Sequence, residues 1–406
     1  MLIILNLFFK SGYNKNEQVS SLGWSILLCL LILFCVSLSC IFFANLHESN
    51  FENAKKAILM QSLWYVLGIL VVLGIMRLDE EQLLRVSKTG YFIFSAILFL
   101  VIFFYSRAYY LTTGAKSWFA FGPITFQPSE LLKPFYILMM SRLLVEDYYN
   151  GPHKELCEDL ELFYRMAKYT IPIIIMLKAI NDFGTTMVYV AIFFGFLIIS
   201  QCQARFLLGL LFLSFFFFLF LVIAASSKTG QQTLSLLGFK PYQFSRISSW
   251  LNPSNDATNQ SYQLWQSIQA IGSGQLFGKG ISGVFVYVPV RESDMIFSVI
   301  GETTGFTGSI LVILVFLYLF YLILKCALTS KRIFYAYIST GVLVMLLFHT
   351  FENIGMTIGL VPLAGIPMPF VSEGGSSLIA NFVGIGLVFS SQYPNVKNIF
   401  SSPSWL

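Results

Sequence analysis

The chain has 406 residues, 56% of them hydrophobic and only 11% charged, with 42 phenylalanines. Soluble domains carry roughly 25% charged residues because a water-facing surface must be solvated. A globule standing wholly in water is therefore excluded, and the net charge of +5, spread without a basic block, argues against nucleic acid as a partner.

No cleavage-site pattern precedes the first apolar run, so no signal peptide is expected. A helix needs about 20 apolar residues to cross the hydrocarbon core. Spans are predicted near residues 24–45, 57–76, 90–106, 129–146, 169–181, 184–200, 205–226, 299–324, 333–357 and 374–392. The fold class is therefore all-α and polytopic, with about ten transmembrane helices in a single membrane domain over 1–406. The fifth and sixth spans are separated only by Ile180-Asn181-Asp182-Phe183-Gly184.

Orientation follows from Lys and Arg in short loops. With the N-terminus inside, fourteen fall in cytoplasmic segments, including Arg77, Arg142, Arg165, Arg205 and Arg332. Four, Lys55, Lys56, Arg107 and Lys116, fall in short outer loops. Both tails, 1–23 and 393–406, are then cytoplasmic. Residues 227–298 form the one long extracytoplasmic loop, rich in Gly, Ser and aromatic residues, and expected to hold short helices and turns on the outer leaflet. Tyr242, Trp250, Tyr262, Trp265 and Tyr287 suit a membrane interface. The six cysteines show no paired spacing and read as small apolar residues rather than a disulfide framework or metal site.

Charge against a membrane is costly and marks candidate sites. Gln127-Pro-Ser-Glu130-Leu-Leu-Lys133 opens the fourth span, with Glu130 and Lys133 on one helix face. They form either a packing ion pair or a functional one. Asp182 either caps the next helix or holds a cation or basic loop residue. Asp294 stands between the wet loop and the eighth span, where partial desolvation suits a general base. The alternative is a helix N-cap, with Glu292 and Glu302 as neighbouring carboxylates. Lys116, Arg246, Lys279 and Arg291 would place positive charge beside it for an anionic lipid headgroup. Gly272-Ser-Gly274 and Gly278-Lys-Gly280 lack the strand and helix context of a nucleotide-binding loop. Pro362, Pro367 and Pro369 should break the helix between the last two spans, giving a re-entrant segment.

Taken in order, these motifs resemble the SEDS family (shape, elongation, division and sporulation), which includes RodA and FtsW. Gly114-Ala-Lys-Ser-Trp118, Gln127 to Lys133 and Asn181-Asp-Phe-Gly-Thr185 are similar to its GA-R/K-SW, QPSE-x-x-K and PDLGT segments. Arg246-Ile247, Leu251-Asn-Pro253, Tyr262, Gln266-Ser267, Ala270 to Gly274 and Leu276 to Gly280 follow. Pro289 to Phe297 then places Asp294 on the family's catalytic aspartate. Asn353 to Met356, Gly365 to Phe370 and Gly374-Gly-Ser-Ser377 continue in register, and the Gly-Ile-Pro-Met-Pro wording looks closer to the elongation-type RodA branch. Glu292, Ser293, Glu373 and Asn181 depart from the usual His, Thr, Tyr and Pro.

The resemblance implies a peptidoglycan glycosyltransferase in the bacterial cytoplasmic membrane that polymerises lipid II outside the cell. Asp294 would take the proton from the acceptor GlcNAc 4-hydroxyl. Pyrophosphate leaves without a general acid, met by Lys116, Arg246 or a divalent cation such as Mg2+. Trp118, Gln266, Ser267, Lys279, Ser376 and Ser377 complete the implied substrate-binding set, and Glu130, Lys133 and Asp182 the implied ion-pair set. A class B penicillin-binding transpeptidase and other cell-wall elongation or division proteins are the implied partners. A lipid II flippase or a non-catalytic scaffold are the competing functions.

Overall fold

The computed structural model describes residues 17–48, 51–122, 124–153, 155–236, 241–251, 253, 259–280, 283 and 285–392. Most of the N-terminal tail, all of the C-terminal tail and parts of the 227–298 loop lie outside the described residues.

Ten helices of 17 residues or more occupy the ten expected places among the described residues. They are α1 (Glu17–Glu48), α2 (Phe51–Ile75), α3 (Glu80–Phe104), α5 (Pro128–Tyr148), α6 (Leu156–Ala179), α7 (Phe183–Ile199), α8 (Ala204–Ser226), α12 (Ile296–Thr329), α13 (Ile333–Thr357) and α14 (Gly375–Gln392). Six of them are long and apolar enough to cross a membrane by length and composition alone. Between α3 and α5 the chain adds α4 (Arg107–Thr113) and a hairpin, β1 (Phe119–Phe121) paired with β2 (Ile124–Phe126), Phe119 opposite Phe126. The outer loop contributes α9 (Lys228–Leu236), α10 (Pro241–Leu251) and α11 (Asn259–Ser273).

The core runs through α5, α13 and α14. α13 packs on α5, α7, α12 and α14, while α14 lies against α2 and α5. The outermost helix is α8, whose Phe212, Phe215, Phe217 and Phe220 are all exposed. A helix apolar all round belongs in lipid, and α8 leans on α9 and α10.

The prediction of separate fifth and sixth spans holds. Asn181 turns the chain with φ 63 between α6 and α7, in the left-handed region where asparagine is among the few tolerated side chains. A proline, locked near −65°, could not make this turn.

α12 is broken inside. Gly305 has φ 67 and ψ −160, and the turn 274–280 fills the gap. Phe306 N–H donates to the Gln275 carbonyl, while Lys279 and Gly280 N–H donate to the Glu302 and Thr303 carbonyls. A Cβ on Gly274 would stand 2.0 Å from the Gly301 carbonyl oxygen, so backbone meets backbone here and no side chain fits. The glycine-rich run thus serves a close approach to the broken helix.

Between α13 and α14, residues 358–374 form no helix, yet Ala364, Ile366, Met368, Phe370 and Val371 are buried. Irregular backbone at this depth needs polar partners from surrounding protein. Ser37 Oγ donates to the Val371 carbonyl at 2.8 Å, Gln61 Nε2 to the Ser372 carbonyl at 3.1 Å, and Tyr65 hydroxyl to the Phe370 carbonyl.

Candidate active site

This proline-interrupted segment is the platform on which the Asp294 turn is mounted. Ser372 Oγ donates to the Ser293 carbonyl at 2.6 Å and accepts from Met368 N–H. Glu373 N–H donates to the Glu292 carbonyl at 3.0 Å. Asn353 Nδ2 reaches from α13 to two carbonyls at once, Asp294 at 2.7 Å and Ile366 at 2.8 Å. Gly365 has φ 72, and a Cβ there would sit 3.2 Å from Asp294 Oδ2, so glycine lets the carboxylate approach the segment. From the other side, Arg246 Nη1 donates to the Ala364 carbonyl at 3.3 Å and Trp250 Nε1 to the Gly359 carbonyl at 2.9 Å, docking α10 on the same strip.

Asp294 does not cap α12. The N-cap is Met295, and the carboxylate instead accepts from Ser293 Oγ at 3.0 Å while keeping part of its surface accessible. Burial pushes its pKa up to about 6. The Ser293 hydrogen bond opposes the shift, Glu292 adds to it, Arg246 opposes it and Asp182 adds to it. A carboxylate tuned toward neutrality and free of helix-capping duty can accept a proton. Glu373 is also raised, by burial first and then by Glu292, against a hydrogen bond from Asn45. The two departures at 292 and 373 thus face one another as neighbouring acids.

Other expected site residues are placed differently. Lys279 Nζ binds Glu302 Oε1 at 2.7 Å and Arg291 Nη2 binds Glu302 Oε2 at 3.0 Å. Glu302 is wholly buried and also accepts from Val286 N–H at 2.7 Å. A buried carboxylate demands donors, and it draws both cations away from the expected place beside Asp294. Arg246 is the basic residue that acts on Asp294. Lys116 Nζ lies over the rings of Tyr105 and Tyr110, 4.9 and 5.6 Å from their centroids, while the Lys116 backbone N–H donates to the Ile180 carbonyl, two residues from Asp182. Trp118 stacks on Tyr109.

Ser267 Oγ donates to the Thr357 carbonyl at 2.9 Å and is fully buried, so it fastens α11 to α13. Ser376 Oγ accepts from Gln127 N–H at 3.1 Å, tying α14 to the entry of α5. These two hydroxyls are engaged with backbone. Gln266 and Ser377 remain partly exposed.

The expected trio at the fourth span divides in two. Lys133 Nζ meets Glu130 Oε1 at 2.6 Å and His349 Nε2 at 2.9 Å, all buried. Asp182 is not part of that pair. It caps α7 by accepting from Thr185 N–H at 3.1 Å, and takes Gln127 Nε2 at 2.9 Å. His349 was missed as a partner because it lies 216 residues from Lys133, and Glu302 because its ties to Arg291 and Lys279, 11 and 23 residues off, cross a turn and a broken helix that no local pattern marks.

Known proteins match this architecture along its length. The family model described as "Cell cycle protein" (FtsW, RodA, SpoVE) matches residues 20–395. The chain belongs to the SEDS family. It is 30% identical over 370 residues to a probable peptidoglycan glycosyltransferase FtsW of Wigglesworthia glossinidia brevipalpis, covering 89% of each chain. It is 27% identical to the peptidoglycan glycosyltransferase RodA of Treponema pallidum, covering 93% of this chain and 98% of that one. Among solved structures, a chain from a peptidoglycan synthase complex studied for coordination of polymerization and crosslinking superposes with TM-score 0.71 at 25% identity, covering 91% of this chain and 97% of that one. The rod shape determining protein RodA of Thermus thermophilus shares the fold, with TM-score 0.64 at 24% identity, covering 92% and 98%.

Proposed function

We propose that this SEDS protein is a peptidoglycan glycosyltransferase that polymerises lipid II at the outer face of the bacterial cytoplasmic membrane, both termini being cytoplasmic. The observation that carries the reading is the raised, uncapped carboxylate of Asp294, held on the 358–374 platform beside Arg246. Asp294 takes the proton from the 4-hydroxyl of the acceptor GlcNAc as that oxygen attacks the anomeric carbon of the growing glycan. The bond to undecaprenyl pyrophosphate breaks, and the electron pair leaves with the pyrophosphate. One displacement inverts the anomeric centre, and one base suffices because the leaving group needs no proton.

Arg246, not Lys279 or Arg291, is the cation assigned to the departing charge. Lys116 and Trp118, held among Tyr105, Tyr109 and Tyr110, are assigned to substrate binding on the family resemblance. Mg2+ is commonly held by one or two carboxylates together with substrate phosphates. Glu292, the acid beside Asp294, fits that pattern, and a Mg2+ held there would supply further neutralisation of the pyrophosphate while Asp294 stays free as the base.

The partner proposed is a class B penicillin-binding transpeptidase, supported by the structural likeness to a chain of a polymerising and crosslinking complex. The role proposed is cell elongation, on the Gly365 to Pro369 wording. The deciding experiment is polymerisation of labelled lipid II by the purified protein with its transpeptidase, wild type against Asp294→Ala. Glycan chains from wild type that vanish in the variant are expected. An intact wild-type complex that makes no chains would refute the enzyme and favour a flippase or scaffold.

A further inference from the structure

At the end of the bundle opposite Asp294, three segments bring unlike donors together. α5 and α7 both begin beside Asp182 and finish here, so this end lies a full helix length from the proposed active site. His153 comes from the turn after α5, Asp159 from the start of α6, and Cys202 from the link between α7 and α8. One ligand-type atom from each lies within 4.8 Å of the other two.

Three observations go beyond proximity. Asp159 is wholly buried and no N–H or O–H reaches its Oδ2, which leaves the Cys202 thiol as the remaining neighbour of a carboxylate that is costly to bury unpaired. Its other oxygen takes His153 Nδ1 at 2.8 Å and Gln203 N–H at 3.2 Å, which holds the carboxylate in place. The far ring nitrogen, His153 Nε2, lies 3.1 Å from Asp147 Oδ2, and Asp147 is itself gripped by Arg165 Nη2 at 2.7 Å. Metal-binding histidines almost always give their second ring N–H to a carboxylate, backbone carbonyl or water, which fixes the tautomer and leaves the nearer nitrogen to ligate once its proton is lost.

We propose that His153 Nδ1, the Asp159 carboxylate and the Cys202 thiolate form a zinc site that clasps this end of the molecule, with Asp147 as the outer partner of His153. One nitrogen, one oxygen and one sulfur donor, with a water as the fourth ligand of a tetrahedral shell, suit Zn2+, at about 2.0–2.3 Å from the ion. Seating the ion needs the His153 and Asp159 donors to part by a few tenths of an ångström, and both the proton held between His153 Nδ1 and Asp159 Oδ1 and that of the Cys202 thiol to leave to solvent. Hard ions such as Mg2+ prefer all-oxygen shells and suit this set poorly. The site would lock the α5–α6 turn to the α7–α8 link. It is independent of the glycosyltransferase reading, and its test does not use activity.

The full-length protein in lipid nanodiscs is stripped with chelator and titrated with Co2+ and then Zn2+, following the near-ultraviolet thiolate-to-cobalt charge-transfer band and the metal bound per chain. One ion per chain and a band displaced by Zn2+ are expected. Cys202→Ser should abolish the band, and Asp147→Asn should weaken Zn2+ binding about 10–100-fold. Alkylation of Cys202 in the wild type gives a check that needs no variant. Zn2+ should protect it while exposed Cys157 reacts unchanged. Zn2+ affinity equal in wild type and Cys202→Ser, absence of the band with Co2+ bound, or alkylation of Cys202 at the same rate with and without Zn2+ would each overturn the site. A bare His153 bridge between two carboxylates would then account for the geometry.

Discussion

Asp294→Asn should make the protein more stable above pH 6 while removing its catalysis. Burial raises the carboxyl from 3.8 to about 6, so the folded state prefers the protonated form. Below about pH 4 the group is protonated in both states and carries no penalty. As pH rises through about 6 the folded carboxylate is forced to ionise in its crowded site, and that relative stability is lost. Two pK units correspond to about 3 kcal/mol. Asp294 keeps some contact with solvent, so about 1–2 kcal/mol is the discounted expectation. Asparagine has the same shape and keeps an oxygen to accept from Ser293 Oγ, so packing is held constant. The assay is the unfolding midpoint of the purified protein in nanodiscs, wild type against Asp294→Asn, at acid and at mildly alkaline pH. The variant's advantage should be present at the higher pH and vanish at the lower. A variant equally stabilised at both, or less stable at high pH, would refute desolvation as the cause.

Removing either member of the buried Glu130–Lys133 pair should destabilise by about 3–5 kcal/mol, because the other charge is left unpaired. A Glu130→Gln/Lys133→Met double variant should recover part of that loss in a double-mutant cycle of unfolding midpoints. Glu302→Ala strands Lys279 and Arg291 together, and should cost at least as much while loosening the Asp294 turn, read as faster hydrogen exchange over 286–295. At the α6–α7 turn, Asn181→Gly should leave the midpoint nearly unchanged, whereas Asn181→Pro should lower expression and stability together, since φ 63 is closed to proline. Gly365→Ala should cost about 1–2 kcal/mol for the left-handed backbone and reduce polymerisation further, because its Cβ presses on Asp294 Oδ2.

The spans were legible because hydrocarbon imposes a length and a composition that no local context can mask. Even the brief break at 180–184 was readable, since Asp182 has no place in lipid. The position of Asp294 was legible in the same way, at the boundary between a wet loop and an apolar helix. Its partners were not. Glu302 gathers Lys279 and Arg291 through a fold in which the 274–280 turn enters a break in α12, and nothing local marks Gly305 as that break. His349 meets Lys133 from another helix, 216 residues away. Ser267 and Ser376 entered the substrate-binding set through the family resemblance, which does not show the carbonyl or N–H that each hydroxyl holds. The hairpin of β1 and β2 leaves no periodic signal in the sequence, its strands being only three residues each. Cys202 looked like an ordinary small apolar residue until the fold set it against His153 and Asp159.

The central claim is that Asp294 is the base of an outward-facing lipid II polymerase, and the pH dependence of polymerisation tests it most directly. Initial rates of glycan synthesis by the nanodisc-held complex would be followed from pH 4.5 to 8.5 in the wild type and in Asp294→Asn, with folding checked at each pH. The expected wild-type rate rises with one ionisation near pH 6, where Asp294 loses its proton, and the variant is inactive throughout though folded. A folded Asp294→Asn variant that polymerises lipid II with the same pH profile as wild type would contradict the account.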